Sequence, residues 1–118
     1  MTFFENELKR IMSKAAILKN QKFVGNACLA RLTDHITVKV AFVAPKVADH
    51  YSALRISIIN RTQATIDTHT LVIDDIIGHK AYIWGYRDEV DWYQYKPSAA
   101  DYRKIAGAIN DYCENFAD

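Results

Sequence analysis

Residues 36–42 alternate strictly: Ile36, Val38, Val40 and Phe42 stand between Thr37, Lys39 and Ala41. Successive strand side chains project to opposite faces, so this spacing describes a β-strand with one buried and one open face. Such a strand is not stable alone. It needs neighbours in a sheet and a layer over its apolar side. Leu54, Ile56 and Ile58, set among Arg55, Ser57 and Ile59, repeat the pattern, and Pro45 ends the first of these strands. Residues 65–73 are β-branched enough for a further strand, closed by Asp74 and Asp75, with Gly78 breaking the chain. Residues 24–32 predict an earlier strand, weakened at its start by Gly25 and Asn26. Turn residues fall between these runs, at Thr33-Asp34-His35 and Asn60-Arg61-Thr62-Gln63. Residues 80–86 and 91–95 predict a hairpin around a four-residue loop, Arg87-Asp88-Glu89-Val90.

An amphipathic helix flanks the strands at each end. Thr2 and Glu5 form a capping box, and Phe4, Leu8, Ile11, Met12 and Ala15 follow as one stripe, predicting a helix that ends near Leu18. At the other end Ser98 and Asp101 form a second capping box. Tyr102, Ile105, Ala106, Ile109, Tyr112, Cys113 and Phe116 make the stripe. Short connections between strands imply antiparallel pairing, since parallel pairs need long crossovers. The expected fold is α+β: an antiparallel meander sheet of five to six strands, with the N- and C-terminal helices packed on one face. One helix on each face is the alternative.

The length of 118 residues predicts a single domain over 1–118. A chain this size buries about two thirds of its surface, enough for a core without disulfides or metals. The longest apolar run, residues 40–44, is far short of the ~20 residues a membrane span needs. The first ten residues lack the basic start and apolar stretch of a signal peptide, so the expected location is the cytoplasm, with Cys28 and Cys113 reduced and buried.

If both helices cover one sheet face, the composition of the rest matters. Residues 82–95 hold six of the chain's 14 aromatics: Tyr82, Trp84, Tyr86, Trp92, Tyr93 and Tyr95. With the four-residue loop, Tyr86 stands opposite Asp91, Trp84 opposite Tyr93 and Tyr82 opposite Tyr95, and opposed residues share a face. Tyr82, Trp84, Tyr86, Tyr93 and Tyr95 then form one surface beside the acids Asp88, Glu89 and Asp91. Tyr and Trp dominate interface hot spots, so this reads as a partner-binding or homodimer surface. A stabilising cross-strand ladder or helix-facing core is the plainer reading.

Charge is split along the chain. Residues 1–46 carry net +5 and the rest net −4, although the whole is only +1. Lys9, Arg10, Lys14, Lys19 and Lys22 form an acid-free run usable as a phosphate-binding patch, against the plainer reading of a solvated helix face. Asp67, His69, Asp74, Asp75 and His79 admit a metal-cluster reading, set against solvated positions at strand ends. Asp49-His50 has no partner nucleophile nearby, and Ser52 and Ser57 lack nucleophile-elbow glycines. No phosphate-cradling glycine loop occurs. The expectation is a non-enzyme without metal or cofactor.

Several segments carry a family resemblance. These are Phe3-Phe4-Glu5-Asn6-Glu7-Leu8, Asn60-Arg61-Thr62 with Asp67, Asp75-Ile76-Ile77-Gly78, and Trp92-Tyr93-Gln94-Tyr95-Lys96-Pro97 leading into Asp101-Tyr102. In combination the chain resembles small proteins encoded on mobile elements, the integrative elements and prophages of gut Firmicutes. The resemblance implies work for the element, which includes anti-CRISPR inhibition. The functional expectation is a non-catalytic protein-binding domain, in its most specific form an inhibitor of a Cas nuclease such as Cas9 or of its guide-RNA complex. A nucleic-acid-binding accessory or regulatory protein of element transfer is the alternative.

Overall fold

A computed structural model describes residues 3–25, 27–43, 53–79, 83–87, 90–95 and 97–117, with only the backbone for 3–4, 83–87 and 90–95. Five strands form one antiparallel sheet in chain order: β1 (Lys19–Val24), β2 (Ala27–Arg31), β3 (Thr37–Val43), β4 (Ala53–Ile59) and β5 (Thr65–Val72). Helices α1 (Phe3–Met12), α2 (Ile73–Ile77) and α3 (Ala99–Glu114) supply the second layer. Strands β6 (Ile83–Arg87) and β7 (Val90–Tyr95) pair as a separate two-stranded sheet.

The predicted alternation of β3 and β4 is what divides the sheet. Val38, Val40 and Phe42 pair with Ile58, Ile56 and Leu54, and all six are buried. Cys28 and Ala30 of β2 continue that face. Against it pack Leu8, Ile11 and Met12 of α1, Ile73 and Ile77 of α2, and Tyr102, Ile105, Ala106, Ile109 and Cys113 of α3. The terminal helices lie on one face, as expected. The helices are also tied through a polar contact: the fully buried Glu7 accepts hydrogen bonds from Tyr102 and from Arg10.

Local chemistry explains the element ends. Ser98 Oγ accepts from the Asp101 backbone N–H at 3.1 Å, and the Ser98 N–H donates to Asp101 Oδ2 at 3.0 Å, completing the capping box of α3. Asn60 Oδ1 accepts from the N–H groups of Thr62 and Ala64, both at 3.0 Å, and from the Thr62 hydroxyl, closing the β4–β5 turn. Thr33 Oγ1 does the same for His35 and Ile36 at the β2–β3 turn.

Four expectations need correction. The N-terminal helix stops at Met12 rather than near Leu18. The chain goes on in tight turns, with Lys14 N–H bonded to Ile11 O and Ala15 N–H to Met12 O, both at 3.1 Å. Those turns keep Ala15 and Leu18 on the buried stripe, which is why the periodicity ran on. Gln21 Nε2 then donates to Met12 O at 2.9 Å and Leu18 O at 3.2 Å.

The strand expected over 24–32 is present only as β2 over 27–31, and its expected start belongs to the hairpin turn from β1. Val24 pairs with Ala27, and Gly25 takes the left-handed φ of 61° that a two-residue turn of this kind needs. The strand over 65–73 stops at Val72, because Ile73 to Ile77 turn into α2, which Gly78 ends at φ 82°.

The aromatic hairpin also differs in register. Trp84 pairs with Tyr93 and Tyr86 with Asp91, as expected. Arg87 pairs with Val90, so the loop is shorter than four residues. A register shift then brings Tyr95 opposite Ile83 rather than Tyr82. Tyr82, Asp88 and Glu89 lie outside the described residues, as do Thr2, Pro45, Asp49, His50 and Ser52.

Candidate functional site

With the helices on one side, the sheet's other side is open. Register reads that face in rows. Lys22, Leu29, Lys39, Ser57 and Thr68 align across all five strands. Val24, Ala27, Ala41, Arg55 and Thr70 form the next row on one side. Lys19, Arg31, Thr37, Ile59 and Thr65 form the row on the other side. All five cations in these rows, Lys19, Lys22, Arg31, Lys39 and Arg55, are exposed. Among the described positions of the three rows there is no carboxylate.

Strand geometry sets the spacing of these charges. Neighbouring strands are ~4.8 Å apart and same-face residues ~6.7 Å apart along a strand. Lys39 therefore stands about 8 Å from Arg55 and from Arg31, and about 10 Å from Lys22, at the strand backbone. None of Lys22, Arg31, Lys39 and Arg55 forms an ion pair with a described residue. The surface between them is concave in two places. One depression of about 220 Å³ is lined by Lys39, Ala41, Val43, Arg55 and Ser57. A larger one of about 600 Å³ lies near Lys22, Leu29, Arg31 and Thr37. Val24, 69% exposed, adds an apolar point at the rim.

The basic run over 9–22 is distributed by this fold over two sides. Lys9 lies with its Nζ 5.5 Å from the centroid of Phe23, whose strand neighbour Lys22 projects to the opposite face. Arg10 is bound to Glu7. Lys14 is in the turn after α1, while Lys19 and Lys22 belong to the open face. Sequence reasoning found Lys19 and Lys22 but missed Arg31, Lys39 and Arg55. Their grouping depends on sheet order, though the alternation that placed Lys39 and Arg55 opposite the core was a usable signal.

The groups weighed for chemistry are engaged elsewhere. Asp67 accepts a hydrogen bond from the Tyr112 hydroxyl, and His69 stacks on the Tyr112 ring at 4.7 Å and 18°. His79 Nε2 is 3.1 Å from Asp101 Oδ2 at the start of α3. No group of three or more His, Cys, Asp or Glu among the described residues is placed to hold a metal ion. Cys28 and Cys113 are free and buried, and burial pushes both thiols up to about 11, so they stay protonated at neutral pH. No helix among the described residues is long and apolar enough to cross a membrane.

No family model, curated protein or solved structure matches the chain.

Proposed function

We propose that this chain is a non-catalytic binding domain whose open sheet face takes the phosphate backbone of a nucleic acid. The observation that carries the reading is the face itself: Lys22, Arg31, Lys39 and Arg55 converge on it from four strands, with no carboxylate in its described rows. Cations spread over three strand rows, with no aromatic side chain among the described positions to stack a base, favour contact with the phosphate backbone over sequence recognition. Affinity then comes mainly from counterion release.

The test is fluorescence anisotropy with labelled single-stranded and duplex oligonucleotides across a salt series. Four phosphate contacts predict a log K against log salt slope of about −3.6 on duplex and about −2.8 on single strands. Absence of any binding at low salt would overturn the reading.

A second reading takes the β6–β7 hairpin as a protein-contact element. Its support is that the hairpin pairs within itself rather than joining the main sheet, with Trp84 in register with Tyr93. The resemblance to mobile-element proteins makes a Cas nuclease with its guide RNA the specific partner of this reading. Capture of such a complex by the wild type and its loss in Trp84→Ala and Tyr93→Ala is the expected result. No capture by the wild type would remove it.

A further inference from the structure

We infer that the outer edge of β5 pairs antiparallel with β5 of a second copy, about a twofold axis through Thr68. This rests on observations separate from the cationic face.

The two edges of the sheet are unlike. On β1 the register shifts between Lys19 and Lys22, Asn20 sits at φ 55°, and two lysines flank the irregularity. Bulges and lysines are the usual means of protecting an edge from pairing. On β5 the eight residues contain no lysine, arginine, proline or glycine, and residues 65–70 are all exposed. β5 has a register shift of its own at Ile66, which is 49% exposed, but no lysine flanks it, and from Asp67 to Val72 the pairing with β4 is regular. Among the described residues β5 has β4 as its only strand partner, so its second row of backbone donors and acceptors is unpaired by any described strand.

The side chains identify the occupant. An antiparallel pair centred on Thr68 sets Asp67 opposite His69 of the partner subunit, and the symmetry repeats the pairing in reverse. An isologous interface needs such self-complementarity. Facing each other across an antiparallel ladder, the Asp67 carboxylate can accept a hydrogen bond from a ring N–H of the opposite histidine. Tyr112 holds both groups in place, donating to Asp67 and stacking on His69, and is itself backed by Phe116 at 5.4 Å. The neighbouring axis, through His69, would set Asp67 against Leu71 and two histidines against each other. The occupant is therefore a second copy of this chain in the Thr68 register. The paired segment is short, so the dimer is weak and concentration-dependent.

Sedimentation equilibrium over a range of protein concentrations tests association, and cysteine cross-linking tests register. The wild type is expected to move reversibly from the monomer mass toward twice that mass, and Thr68→Glu, which opposes two carboxylates at the axis, to remain monomeric. Thr68→Cys should form a disulfide dimer under mild oxidation, while Thr70→Cys, facing Ile66 of the partner subunit, should not. Circular dichroism of each variant separates loss of dimer from loss of fold. A wild type that stays monomeric throughout, or equal cross-linking at 68 and 70, would overturn the inference.

Discussion

The phenol of Tyr102 on α3 donates a hydrogen bond to the carboxylate of Glu7 on α1, and Glu7 is wholly buried. Burial, reinforced by the carboxylate, raises the pKa of that phenol, so it remains a donor at any physiological pH. Arg10, half exposed, supplies the counter-charge from the next turn of α1. Removing one member takes a hydrogen bond away from a buried polar partner, which costs about 1–3 kcal/mol. Tyr102→Phe and Glu7→Gln are each expected to lower unfolding free energy by about 2 kcal/mol. The double variant should lose less than the sum, by at least ~0.5 kcal/mol, because both changes act on the same hydrogen bond. Urea unfolding of the four proteins measures it, and strict additivity would show that the contact does not couple the helices.

Asp101 gives the fold a defined acid sensitivity. Its carboxyl pKa is lowered chiefly by the Ser98 backbone N–H, with help from the Ser98 side chain and His79 and against the opposing effect of burial. A depressed folded value means the unfolded chain takes up the proton first. The stabilisation is therefore complete above the unfolded value of ~3.9 and is lost as pH falls through the lower folded value. Asp101→Asn should cost about 1 kcal/mol at neutral pH, in line with loss of a carboxylate charge from the first turn of a helix. The gap to wild type should close in strong acid. Urea midpoints at about pH 7 and about pH 2 give both numbers; a constant gap would count against this carboxylate.

Charge reversal on the open sheet face should change binding without changing stability. Lys39→Glu and Arg55→Glu alter exposed side chains with no described ion-pair partner. Each is expected to weaken oligonucleotide binding across sequences and reduce the salt slope by about 1. Lys14→Glu, in the turn after α1 and off the open rows, should have a smaller effect. Salt-series anisotropy ranks the three, and an equal response at all three positions would move the contact away from the sheet.

The β4–β5 turn offers substitutions of opposite sign. Asn60→Ala removes one oxygen that serves three donors and should cost about 1 kcal/mol. Gln63 sits at φ 70°, where a Cβ costs ~1–2 kcal/mol. Gln63→Gly relieves that cost but frees the unfolded chain, for a net gain of about 0.5 kcal/mol. Thermal melts should shift in opposite directions.

Elements with their own physical signal were legible from the residues. The alternation of Val38, Val40 and Phe42, the Ser98–Asp101 box and the Asn60 turn each carry their cause within a few positions. β1 does not: Lys19-Asn20-Gln21-Lys22 has no alternation, and pairing with β2 imposes its strand state. α2 was hidden because Ile73 and Ile77 read equally well as the end of a strand, and five residues are too few for a period to show. The hairpin bulge was invisible because a one-residue slip leaves composition untouched. The same limit applied to the site. Lys22 stood out in a basic run, whereas Arg31, Lys39 and Arg55 are scattered along the chain and meet only once strand order is known.

The irregularity around Asn20 has a consequence for supply and storage of the protein. A sheet with two open edges adds copies at both ends and grows into a filament. Here one end is closed by positive φ and lysine, so growth through the proposed β5 pairing would stop at two chains. The fold thereby sets a ceiling on its own stoichiometry. A change that regularised residues 19–22 would remove that ceiling and turn a finite pair into a polymer.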